Sequence, residues 1–450
     1  MQRDAHNLVL TNSSVAATRA FDHALSGYLT YRADTGGRVA ALLAADPEFA
    51  LGHCFKGYMM MLGFKQALVP VAREAAAAAL NLAGMSTPRE KAHVAALGTW
   101  IAGDLDRTLA IWEEILDQHP HDVLAFRLHH FNAFWLGRAE AMQATVEHVL
   151  PKWSPQLPGY GSLLACRAFA HEECGSYTVA EAAGRQAIEI DRGDVWAAHA
   201  VAHVMEMQGR RSEGIAWLTA LEPQWEGANN LTHHLWWHLG LFHLEHGAFD
   251  KVLALYDRQF RNLESPLTLA QPDLYIDVQN AVSMLFRLER QGVDVGERWG
   301  ELARHAEDRI GDCLSAFTLP HWMMALARCG RWDAAGRMLD GMRAAGARND
   351  GTLAPLIRDF AMPISEAVVA HAKGDFARSA DLMRPVIGGM YRLGGSHAQQ
   401  DVLEQLYLDA ALKAGRRDDV RLLLERVMGR YPAPPERRIG YADAARGHAH

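Results

Sequence analysis

Three features of the sequence predict an all-α fold. Glycines recur at intervals of 34 to 45 residues, at Gly63, Gly103, Gly137, Gly175, Gly209, Gly247, Gly292, Gly330, Gly374 and Gly415, each closing an amphipathic segment. No alternating apolar and polar stretch bounded by hairpin turns competes with the helical period. Prolines fall between the segments, at Pro47, Pro88, Pro120 and Pro158, where a missing amide donor does least harm.

A helix favours glycine just past its end because the capping residue turns left-handed, a conformation that costs side-chain-bearing residues energy. Two residues later many segments place a packing residue: Leu105, Tyr177, Phe249, Trp332 and Phe376. Helices therefore follow one another in pairs, such as 122–137 with 139–153 and 195–209 with 212–221. About ten hairpins with no obvious linker fill one domain, with capping helices over 1–45, repeats over 46–432 and a cap or tail over 433–450.

Composition narrows the function. The net charge of −8, with no run of Lys and Arg, argues against a nucleic-acid partner. Five scattered cysteines without CxxC spacing argue against a disulfide framework or a thiolate metal site, and point to a reducing cytoplasm. The first residues, MQRDAHNLVLTNSS, carry charge where a signal peptide needs an apolar core, and no apolar run approaches the roughly 18 residues of a membrane span.

The 34-residue spacings, the Leu239–Gly240 step, the Gly247 turn and the Asp-Pro or His-Pro helix ends resemble tetratricopeptide repeats. More specifically, the chain resembles the family named after tetratricopeptide repeat protein 38. That resemblance is carried by AADPEFALGH (44–53), WEEILDQHPHD (112–122), WAAHAVAHVMEMQGR (196–210), HLWWH (234–238), LYDRQ (255–259), VSMLFRLERQGVDVGERW (282–299) and LGGSHAQQDVLEQLYLDAAL (393–412), spread over nearly the whole chain. It implies a right-handed α-solenoid whose first helices line a concave face, and it brings no catalytic residue or substrate.

On that implied face, the positions ten before each glycine include His53, His93, Arg127, His199, Trp237 and Gln405. Other turns of the same helices bring in Trp196, His203, Glu206 and His234. The densest stretch is 194–247, where His199, His203 and Glu206 stand at i, i+4 and i+7 on one helix and His234 and His238 at i, i+4 on the next. His233, His243 and His246 fall off this stripe and are expected on the outside. A solenoid that curls far enough would bring the GGSHAQQD segment, with Asp401 beyond it, toward the histidines.

Three functions compete for these residues. In the first, a pocket centred on His199, His203, Glu206, His234 and His238 holds a small organic molecule and moves protons, with Glu206 or Glu173 orienting a histidine. His53, His93, Arg127, His130, Trp196, Trp237, Asp401 and Gln405 then contribute ligand contacts, the tryptophans packing its apolar part. In the second, the groove is a scaffold for a peptide or partner helix, a role compatible with a homo-oligomer. In the third, His199, His203, His234 and His238 hold a divalent metal for hydrolysis, although no HExxH motif is present and no cofactor is required by the sequence. No GxSxG elbow marks Ser162, Ser283 or Ser396 as a nucleophile, nor does a Cys-His signature mark Cys166.

Overall fold

The computed structural model describes residues 2–448. Helices account for nearly all regular structure, giving the expected all-α, solenoid-type class. Among the described residues strand is limited to Gln2–Arg3 paired antiparallel with Val9–Leu10, besides an isolated bridge between Arg32 and Ala228. This small hairpin precedes the expected N-terminal helices, which run Val15–Leu29 and Thr35–Ala45. Its strands are too short to leave a periodic signal.

The chain divides into two compact units, one comprising 1–201, 224–231 and 349–352, the other 202–223, 232–348 and 353–450. In the first, hairpins follow in sequence: Ala50–Met61 with Val69–Leu82, Pro88–Ala102 with Leu105–Gln118, Val123–Trp135 with Ala139–Val149, and Tyr160–Glu173 with Tyr177–Ile190. Each helix packs on its predecessor. The core is aromatic where hairpins meet: Trp100 and Trp112 lie perpendicular with ring centroids 5.6 Å apart, and Tyr58 touches both.

Local chemistry sets the boundaries. At Gly103 the chain turns left-handed, φ 88°, and the next residue, Asp104, caps the following helix by accepting from the Arg107 amide. Thr87 and Glu90 form a reciprocal capping box with Pro88 in the first turn. The Gly63 expectation is corrected: Phe64, not the glycine, takes the left-handed conformation, φ 44°, so that turn is shifted by one residue.

In the second unit, Tyr275–Arg290 pairs with Arg298–Asp308, Thr318–Arg328 with Trp332–Gly346, Met362–Ala372 with Phe376–Met383, and His397–Lys413 with Arg417–Arg430. The His397–Lys413 helix also packs against Tyr275–Arg290, more than a hundred residues earlier in the chain. That return brings polar residues of the last hairpin to the site described next. No helix among the described residues is long and apolar enough to cross a membrane.

Candidate metal centre and adjoining cleft

Two helices carry the histidines. The Val195–Met207 helix starts where the Asp194 carboxylate accepts the Trp196 and Ala197 amides, and it ends in the second unit with His203 and Glu206 one turn apart. The Leu231–Glu245 helix supplies His234 and His238. Spacings of three residues in the first pair and four in the second put each of these side chains one turn above the last.

In the second unit, His203, His234 and His238 are all buried, and each offers a ring nitrogen within 4.8 Å of the others. Ring centroids are 4.4 Å apart for His203 and His238 and 4.7 Å for His234 and His238. His234 Nδ1 lies 2.9 Å from Asn280 Oδ1, and His238 Nδ1 lies 2.9 Å from Glu206 Oε2. Asn280 Oδ1 can only accept, so His234 Nδ1 carries the proton and Nε2 keeps its lone pair.

Electrostatics keep this trio neutral. Burial pushes His203 far below its ordinary value, and repulsion from His238, His234 and His397 adds to the effect. His234 is held well below by burial and His238, while His238 is pushed down to about 3 by burial and Arg287. Burial drives the Glu206 carboxyl the other way, up to about 8, against the pull of Arg287 and Arg438.

Glu206 also lines a partly enclosed cleft of about 20 Å³, room for about one water. Arg211, Glu245, Arg287, Asp401, Gln405 and Arg438 supply the polar wall, and Leu241, Phe242, Leu244 and Tyr431 most of the apolar one. Asp401 accepts from Arg287 at 3.1 Å, Arg438 at 2.8 Å, the Tyr441 hydroxyl at 2.7 Å and Gln405 at 2.7 Å. Burial alone would raise Asp401, but Arg438 and Arg287 hold it down to about 2.

The structure places the remaining sequence candidates in several settings. His199 belongs to the first unit, where its ring stacks on Trp196 at 4.6 Å and lies 5.2 Å from Phe169. Arg127, also there, donates to the Tyr31 hydroxyl and to Cys166 Sγ, and its guanidinium lies over Tyr31 and Trp196. His130 is buried nearby and held well below its ordinary value by burial, Arg127 and His129. His93 is committed to Asp122 at 3.1 Å, and His53 to the Pro47 carbonyl at 2.8 Å. Glu173 ends its helix in the first unit, half-buried, and in the second unit the carboxylate bonded to His238 is Glu206.

Two expectations are corrected. His233, expected outside, is 4% exposed and bonds Asp277 at 3.0 Å, because Tyr275–Arg290 covers that side of its helix. Trp237, expected to pack a ligand, is sealed in the core, donating to Ser283 Oγ at 3.1 Å and stacking on His234. The aromatic wall of the cleft is Phe242 and Tyr431 instead. Sequence reasoning also missed Asn280, Arg287, Arg211, Glu245 and Arg438. Of these only Arg287 carried a signal, a charged residue within an otherwise apolar turn of helix.

No family model matches the chain. Among solved structures, the human IFIT1 dimer with m7Gppp-AAAA matches with a TM-score of 0.41 at 12% identity, over 98% of this chain and 96% of that one. Yeast Tom70 matches with a TM-score of 0.38 at 11% identity, over 96% and 88% respectively.

Proposed function

We propose that the second unit binds a divalent first-row transition ion through His203, His234 and His238, and that this ion is the centre of a hydrolase-type site. The observation that carries the reading is the pairing of ligand and support: neutral buried imidazoles converge while His234 and His238 each engage an oxygen through Nδ1. Metal-binding histidines are commonly oriented in this way, the second nitrogen donating to a carboxylate or amide oxygen. Three imidazoles would leave a coordination position for water or substrate, and such an ion supplies Lewis-acid activation of a water or a carbonyl. Tetrahedral zinc with bonds of about 2.0–2.1 Å needs its ligand atoms roughly 3.4 Å apart, so ring nitrogens that lie within 4.8 Å of one another would close by at most about 1.4 Å on binding.

The relation to the tetratricopeptide repeat protein 38 family belongs to this reading as a proposal about ancestry and adds no residue role. The test is titration of chelator-treated protein with Zn²⁺ and Co²⁺, followed by elemental analysis and, for cobalt, the visible spectrum. One equivalent should bind, with a cobalt spectrum of low coordination number. His203→Ala and His234→Ala should abolish it while far-UV circular dichroism is retained, and Glu206→Gln should weaken it by about 10–100-fold. A wild-type protein that takes up no ion, or variants that bind as well as wild type, would overturn the reading and leave peptide capture as the function to pursue.

A further inference from the structure

The polar wall of the cleft is unevenly paired. Arg287 and Arg438 share one carboxylate, Asp401, whose oxygens already accept from Tyr441 and Gln405 as well. Glu245 is occupied by Arg211 at 2.7 Å and by the Ile439 amide at 3.2 Å. Arg438 Nη1 is buried and has no hydrogen-bond partner among the described residues. An orphaned guanidinium N–H is costly, because the group has given up water without gaining an acceptor.

Arg438 is also held still. Its guanidinium carbon lies 3.8 Å from the Tyr431 ring centroid and 4.9 Å from that of Tyr441, so it packs between two rings. With Nη2 donating to Asp401, the N–H left over at Nη1 matches one oxygen of a second carboxylate. The interior holds about one water, so it admits the oxygens of such a head group, while Leu241, Phe242 and Leu244 line the apolar side of the cleft beside them.

We infer that this cleft receives the carboxylate of a small organic acid, with Arg438 as the principal donor and Arg211 at its side. The carboxylate would supply the acceptor that Asp401, fully engaged, does not. The site stands whether or not the histidines hold an ion. Glu206 belongs to both, so an acid bound here would lie beside the proposed metal centre.

The test uses the full chain, freed of metal, and calorimetric titration with acetate, butyrate and benzoate, with inorganic phosphate and choline as controls. Saturable binding of the carboxylates is expected, about ten- to a hundredfold weaker in Arg438→Gln. Should that variant not fold, Arg211→Gln, altering a more exposed side chain, is expected to weaken binding in the same direction. Absence of saturable carboxylate binding, equal binding by both arginine variants, or tighter binding of phosphate would overturn the inference. The same titration on His234→Ala separates the two sites. Retained carboxylate binding there, with metal lost, is the result expected of an independent cleft. A wild-type protein that binds metal but no carboxylate sinks the cleft alone.

Discussion

Each unit buries a histidine against a carboxylate, and the two pairs behave in opposite ways. In the first unit, Asp122 receives His93 and also Arg89 at 2.6 Å, while its other oxygen caps the Val123–Trp135 helix at the Ala125 amide. Burial would raise its pKa, yet His93 and Arg89 together outweigh burial and hold it far below the ordinary range. In the second unit Glu206 receives His238, and the arginines nearest it in charge, Arg287 and Arg438, are both bonded to Asp401. There burial wins, and Glu206 rises to about 8. The difference lies in how many positive groups are left for each carboxylate, since Glu206, at 17% side-chain exposure, is less deeply buried than Asp122 at 2%. A closed pair of the first kind supports the fold, whereas the second sets a neutral carboxyl beside a neutral imidazole.

The same chemical change should therefore give opposite results in the two places. Asp122→Asn would leave Arg89 buried without its counter-charge and is expected to cost about 3–5 kcal/mol by urea unfolding. Its wild-type contribution should be lost as pH falls below about 3.8, because a carboxylate with depressed folded pKa stabilises only when ionised. An effect under about 1 kcal/mol would erase the distinction between the pairs.

A second carboxylate in the first unit sharpens the point. Asp194 also caps a helix but has no directly bonded cation among the described residues, and burial raises it to about 6 from 3.8. Between those values the folded protein retains a proton that the unfolded chain has released, so stability should fall as pH rises from about 4 to 6, by on the order of 2–3 kcal/mol. Asp194→Asn keeps the cap and should flatten that slope. A slope unchanged in the variant would show that another group sets it.

Packing around the cleft can be checked separately from pairing. A Cβ at Gly214 would lie 2.3 Å from Phe242 Cζ, so Gly214→Ala is expected to cost about 1–3 kcal/mol, measured as a fall in denaturation midpoint. A neutral result would mean that the wall is loose, and that Glu206 is under-paired through mobility rather than through arrangement. The smallest effect is expected at Glu206→Gln. In metal-free protein at neutral pH the amide replaces a carboxyl that is already largely protonated, so unfolding should change by less than about 1 kcal/mol. A cost as large as that of Asp122→Asn would make Glu206 a structural counter-charge after all.

Local signals made most of the helix pairs and the histidine stripes readable. The glycine spacing, the Asp-Pro ends and the packing residues two beyond each glycine act within a few residues of where they stand, and so do caps and amphipathic faces. His203 with Glu206, and His234 with His238, were legible for the same reason, since helical spacing alone puts them on one face. His233 was misread because one helix has two buried sides there, and the covering residue, Asp277, stands 44 positions later.

What the sequence by itself determined, then, is the class of fold, the order of its helices and which side chains share a helix face, all set by backbone geometry over a few turns. Only the tertiary structure decided which face meets which. It brought Glu206 to His238 across 32 residues, and it brought Arg438, from the tail beyond the repeats, to Asp401 and the cleft. No period in the chain encodes the second of those meetings, because the cleft is completed by the return of the last hairpin onto Tyr275–Arg290. The charge state of Glu206 follows from that return, since a carboxyl's pKa depends on its neighbours in space and on its distance from water.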